Sequence, residues 1–262
     1  DHDGQQDHDA GGEVQRRHAL LRNGVRAHLD GRRCGTALDE PLLRRLELSA
    51  AKLATLRDGL RQLAALPDST TAVDRARVQL DIAETLLALL RKQEAWDIAR
   101  ETFDVFTAQA CWQDAIEACD VLFQCEQPES LTALGNGVWL AITFPVPAQL
   151  TVALLQHIID ETPDDSDGAA VAAMAAHYIA DLRTEGEEHD SLTFFTNQIV
   201  AGVAKRHRGI DNDPEMIRMW IEILELNDVK QLLERLAAML DAIVGDNWWI
   251  DRDALRVQLP VN

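Results

Sequence analysis

The chain has 262 residues, 47% of them apolar and 26% charged, with a formal net charge of −19. A field of that sign and size opposes binding to nucleic acid or to an anionic membrane, and no apolar run reaches the about 18 residues that a transmembrane helix needs. Leu and Ala are abundant while Val, Ile and Thr are not, which favours helix over strand.

Residues 1–12, DHDGQQDHDAGG, carry four Asp and little that can be buried, so they read as an acidic tail or linker, His2 and His8 included. Residues 13–65 hold eleven Lys and Arg against six Asp and Glu. They read as a basic helical pair ahead of an acidic helical body at 71–262, within one all-helical domain over 13–262. The helix at 13–29 places Val14, Leu20, Leu21, Val25 and Leu29 at helical spacing. GRRCGTAL (31–38) is a loop. Asp39 is the predicted cap of the next helix, whose first turn holds Glu40 and Pro41, the arrangement a helix start prefers. That helix runs to Ala65 and stops at Pro67.

Further helices are predicted at about 71–92, 94–107 and 111–125, then from Ser130 to about 143. Gly135 and Gly137 interrupt the pattern of the last. Pro145-Val146-Pro147 is a hard break, followed by a helix to Asp160, a loop ETPDDSDG (161–168) and an Ala-rich helix to 183. Ser191 is the predicted cap of a helix to Arg206. Asp213, with Pro214 at the first position, and Asp228 cap two more, the second reaching Val244. Asp251 caps a short last helix before Pro260. This gives eleven or twelve helices, joined mostly by short loops, with no alternating strand pattern. Antiparallel helix hairpins stacked on one another are the economical all-α architecture.

Two stretches share the pattern Trp-x-x-Ala: Trp96 with Ala99, and Trp112 with Ala115. ACWQDAIEACDVLFQCEQPE (110–129) resembles the second helix of a tetratricopeptide repeat. Trp112 stands at the inter-helix turn, then Gln113 and Asp114, then Ala115-Ile116, with Cys119 four residues after the Ala and Pro128 after the helix. LDIAETLLALLRKQ (80–93) looks like a first helix of such a pair. The resemblance covers residues 79–129. It departs from the family where Ala110-Cys111 replace the turn glycine, and in the sixteen residues between the two Trp, half the repeat length, so the two mark successive helices. It implies an α-α superhelix, a tetratricopeptide-like solenoid, in which a partner peptide or helix lies in a groove.

Asp165, Asp167 and Gly168 sit in a loop that glances at a calcium motif, but Pro163 and Met174 stand where its first and last ligands belong. His157 with Asp160, and His177 with Asp181, each share a helix face. Antiparallel packing of their helices would bring the two pairs together, which leaves an all-α metal protein or enzyme as the third reading. The cysteines Cys34, Cys111, Cys119 and Cys125 lack zinc-site spacing and read as buried small apolar groups in a reducing cytoplasm. KRHR (205–208) ends a helix, where cations complement the exposed carbonyls; the other reading is a small basic docking patch set against the acidic body. NWWIDRDAL (247–255) places two Trp side by side. It reads either as a cap sealing the helical stack or as a contact for a partner through Trp248, Trp249 and Arg252.

No phosphate loop, nucleophile elbow or metalloprotease signature occurs. The expectation is therefore a non-enzymatic, cytoplasmic interaction module, a scaffold or assembly chaperone, without cofactor or metal, whose acidic body suits a protein partner with a basic surface. The alternative is a non-catalytic subunit or maturation factor of a larger enzyme complex. Homo-oligomers are compatible with either.

Overall fold

The computed structural model describes residues 40–257 and 259. The expectations for the 1–12 tail, the 13–29 helix, the 31–38 loop, Cys34 and the Asp39 cap lie outside these residues. The chain divides into two compact units at Ser49/Ala50. Of the first, the described part is helical, Glu40–Ser49. The second begins at Ala50 and holds the rest of that helix and the ten helices after it.

Among the described residues the structure is all-α, with eleven helices. They are α1 (Glu40–Ala65), α2 (Ala72–Ala88), α3 (Lys92–Ala108), α4 (Trp112–Gln124), α5 (Ser130–Thr143), α6 (Ala148–Glu161), α7 (Asp167–Arg183), α8 (Gly186–Arg208), α9 (Pro214–Ile223), α10 (Val229–Val244) and α11 (Arg252–Val257). No helix among the described residues is long and apolar enough to cross a membrane. Thr71 caps α2, its Oγ1 accepting from the Asp74 amide at 3.0 Å. Asp213 and Asp228 cap α9 and α10 in the same way, each accepting two first-turn amides.

Two boundaries differ from expectation: α2 ends at Ala88 rather than near 92, because Leu90 turns left-handed, and α8 starts early. Helix α8 begins at Gly186, not after Ser191. Gly186 takes a φ of +61° at the entry, and Glu187 and Glu188 place negative charge on the first turn, where the helix dipole favours it. That suffices to start the helix without a side-chain cap, so Ser191 falls inside it.

The turns after α2, α3 and α9 share one geometry. Leu90, Ala110 and Glu225 adopt left-handed φ values of 62°, 54° and 54°. The next residue's amide reaches back to a helix carbonyl in each: Arg91 to Leu86 at 2.9 Å, Cys111 to Phe106 at 2.9 Å, and Leu226 to Ile221 at 3.0 Å. This is the left-handed helix stop that glycine normally occupies. Ala110 thus does the work of the missing turn glycine, with a Cβ penalty of about 1–2 kcal/mol. Leu90 carries the same strain while 80% exposed, so its side chain gives little packing in return. Leu90→Gly is expected to raise stability by about 0.5–1 kcal/mol after the entropy glycine loses on folding. A higher urea midpoint with unchanged slope checks this.

Successive helices from α2 to α8 pack on one another, and α2 packs also on α4, α4 on α6 and α6 on α8. Arginines tie alternate helices end to end. The Arg183 guanidinium, in the last turn of α7, donates to the Ala141 and Ile142 carbonyls at the end of α5, at 2.8 and 2.9 Å. Arg206, in the last turn of α8, donates to the Ile159 and Thr162 carbonyls at the end of α6, at 2.6 and 3.3 Å. Helices two apart therefore end at the same side, and each arginine satisfies carbonyls that a helix end leaves unpaired. The core runs through α7, where Ala169, Ala170, Ala172, Ala173, Ala175 and Ala176 are all buried and keep neighbouring helices close.

Candidate functional site

The Gly135-Asn136-Gly137 interruption is explained by packing. Helix α10 does not continue the succession but lies across α5 and α7. It buries Leu232, Leu236, Leu240 and Val244, an i, i+4, i+8, i+12 stripe. At the crossing with α5, a Cβ on Gly135 would stand 2.2 Å from Val244 Cγ2. On Gly137 it would stand 2.7 Å from the Cβ of Cys119 in α4. The two glycines thus admit a helix on either side of α5. Asn136, fully buried between them, donates through Nδ2 to the Thr132 carbonyl at 2.9 Å and accepts the Trp249 backbone amide at 3.2 Å.

That last bond anchors the segment after α10. Trp249 packs edge-on against Trp96 and Phe103 of α3, with ring centroids 6.2 and 5.4 Å apart, and the Arg100 guanidinium lies 4.3 Å from its ring centroid. Arg252 lies over Trp248 at 3.7 Å and pairs with Asp241 at 2.7 Å. Trp248, Trp249 and Arg252 are thus engaged within the chain, and the C-terminal segment from α10 onward follows α3, α5 and α7. The two Trp-x-x-Ala stretches hold different positions in their helices. Trp112 opens α4 and stacks on Phe144 at 4.0 Å, whereas Trp96 sits a turn inside α3 and faces Trp249. Ala99, Ala115 and Cys119 are fully buried. Burial drives the Cys119 thiol far above its usual range and lifts Cys125 to about 11.

The two His/Asp pairs find separate partners. His157 Nε2 meets Asp120 of α4 at 2.8 Å, beneath Phe123. His177 Nδ1 meets the Thr196 hydroxyl of α8 at 3.0 Å. Among the described residues no group of three or more His, Cys, Asp and Glu side chains is placed to hold a metal ion. Burial lowers the His177 pKa from its unfolded value of 6.5, with Asp181 opposing and His189 adding to the shift. The folded chain therefore prefers the neutral imidazole. The stability this contributes is complete above pH 6.5 and is lost as pH falls through that value, because the unfolded chain then takes up the proton first. His177→Gln is expected to flatten part of the stability loss between about pH 7 and pH 5, measured as urea midpoints at each pH.

KRHR resolves into local roles. Lys205 pairs with Asp211 at 2.8 Å, and Arg206 serves the carbonyls at the end of α6. His207 is buried. Its Nδ1 accepts the Trp220 indole N–H at 3.0 Å, and Nε2 faces Asp167 at 3.3 Å, off the line of a hydrogen bond. Asp167 also meets Arg235 at 3.3 Å. The chain Trp220–His207–Asp167–Arg235 therefore joins α9, α8, α7 and α10. The loop that glanced at a calcium site thus supplies a helix cap, Ser166, and this pairing carboxylate.

Uncovered apolar surface lies on α8 and α9, where the sequence signals only capped helices. Phe194 and Phe195 of α8 are exposed, Phe194 at 66%. An open groove of about 440 Å³ runs between α6 and α8, where Phe195, Ile199 and Gly202 meet the polar side chains of Gln156, Asp160, Gln198 and Arg206. On α9, Met216, Met219 and Ile223 are exposed, Ile223 at 75%. The signal for these was present in PEMIRMWIEI, which is apolar around more of its circumference than one buried face requires. No family model, no curated protein and no solved structure matches this chain.

Proposed function

We propose that the chain is a non-enzymatic, helical-repeat interaction module, a scaffold or assembly chaperone that holds a protein partner. The observation that carries this reading is the set of large apolar side chains left in solvent on α8 and on α9, since exposed apolar clusters on a chain this charged point to binding surfaces. The tetratricopeptide-like reading of residues 79–129 is supported by the packing of helices one and two apart, by the small buried Ala99 and Ala115, and by the shared turn geometry at Leu90 and Ala110. A repeat of that kind offers its groove to a client. Here the α3, α5 and α7 side holds the chain's own C-terminal segment, which directs the client to the α6–α8 groove and α9.

The test is an affinity capture with the native chain as bait, identified by mass spectrometry at low and high salt. The expected result is one partner recovered by the native chain and lost with Phe195→Asp/Ile199→Asp. An enzyme complex that resists salt would favour the subunit reading. No partner, or the same partners with the variant, would overturn the proposal.

A further inference from the structure

Helix α9 is ten residues long, and its apolar positions cover about 200° of its circumference at 100° per residue, twice a usual core-facing stripe. Trp220 is buried, and Ile217, Ile221 and Leu224 are half-buried against the core. The remaining apolar side chains, Met216, Met219 and Ile223, form an i, i+3, i+7 stripe in solvent. The core contact accounts for one side of this helix and, among the described residues, leaves a second apolar side uncovered. Methionine at two of three positions suits a surface that adapts to another helix.

The charges beside the stripe say what covers it. Glu215 and Glu222, seven apart, run along its flank, and Glu225 follows at the helix end, all exposed. Arg218 is the cation within α9, and it pairs with Glu215 at 3.3 Å. A second copy of the chain would bring acidic flanks and a net charge of −19 against their like. An anionic membrane meets the same repulsion.

We infer that the Met216, Met219 and Ile223 face of α9 docks an amphipathic partner helix whose apolar stripe is bordered by Lys or Arg. The partner's apolar residues at i, i+3 or i+4, and i+7 meet the stripe, and its cations meet Glu215 and Glu222. This deepens the interaction-module reading, on which it rests, by naming a second contact surface and the chemistry of its partner.

The probe is a labelled 18-residue Leu/Lys amphipathic helix, with a Leu/Glu helix of the same pattern as control. Binding to the full chain is followed by fluorescence anisotropy at physiological salt. The Leu/Lys helix is expected to bind and the Leu/Glu helix not to. Met219→Ser/Ile223→Ser should weaken binding about tenfold without lowering the melting temperature, because both side chains are exposed. Glu215→Gln/Glu222→Gln should weaken it less and reduce its salt dependence. Phe195→Asp/Ile199→Asp, on the α6–α8 groove, should leave peptide affinity unchanged. Binding indifferent to Met219→Ser/Ile223→Ser would mean the peptide sits on acidic surface at large and would overturn the proposal. So would self-association of the native chain that Ile223→Ser abolishes. Loss of partner capture with intact, stripe-dependent peptide binding would instead count against the module reading alone.

Discussion

Gly135→Ala is expected to destabilise the chain by about 2 kcal/mol, although alanine is the better helix former by about 1 kcal/mol. The new methyl would meet Val244 Cγ2 at 2.2 Å. Val244 is β-branched, 2% exposed and held in the last turn of α10, where one side-chain rotamer is strongly preferred, so it retreats only at a cost. The strain must move α10 off α5, which also stretches the Asn136–Trp249 bond. Gly202→Ala supplies the contrast. A Cβ there meets nothing within 4 Å, so the same substitution in α8 should stabilise by about 0.5–1 kcal/mol. Adding Val244→Ala to Gly135→Ala should restore part of the loss. A coupling energy near zero between the two sites in urea unfolding would contradict the close approach.

Leu236→Ala is expected to cost about 3–4 kcal/mol, because Leu236 is 2% exposed at the centre of the α10 stripe and its removal leaves a cavity. Ile223→Ala, one helix earlier, should change stability by less than about 0.5 kcal/mol, since its side chain stands in solvent. The two stripes are similar in sequence, Met216-Met219-Ile223 and Leu232-Leu236-Leu240. The difference between them is that one is surface and the other is core. Equilibrium unfolding of both variants measures that difference directly, and equal losses would show that α9 is covered on both sides.

Why could the sequence not tell these stripes apart? Periodicity says that a helix has an apolar face but not what lies against it. The same limit hid the C-terminal segment. Trp248 and Trp249 were visible as unusual, but the acceptor for the Trp249 amide is Asn136, 113 residues away, and long-range pairing leaves no local pattern. Local physics is more legible. Asp213 with Pro214, Asp228, and the stop before Pro67 can each be read from the sequence, because caps and proline act on neighbouring amides. The start of α8 is not legible in the sequence because an acidic first turn substitutes for a cap residue. The Gly135-Asn136-Gly137 stretch reads as weakness on propensity alone. Its meaning, two helices brought close on either side of α5, appears only once α4 and α10 are in place. The two Trp of the Trp-x-x-Ala echo mark successive helices but stand at different positions in them, one opening its helix and the other a turn inside, while Ala99 and Ala115 are both buried.

On the proposed function, a partner docks on α8 and α9 while the chain's own C-terminal segment keeps the α3, α5 and α7 side. Hydrogen–deuterium exchange of the chain, alone and with the protein recovered by affinity capture, tests it most directly. The predicted result is new protection within residues 192–223 and no change in α10, Val229–Val244, whose amides should exchange as slowly as those of α5 in both states. Faster exchange in α10 on binding, with protection appearing along α5, would show that the partner displaces the C-terminal helix, and would contradict the claim.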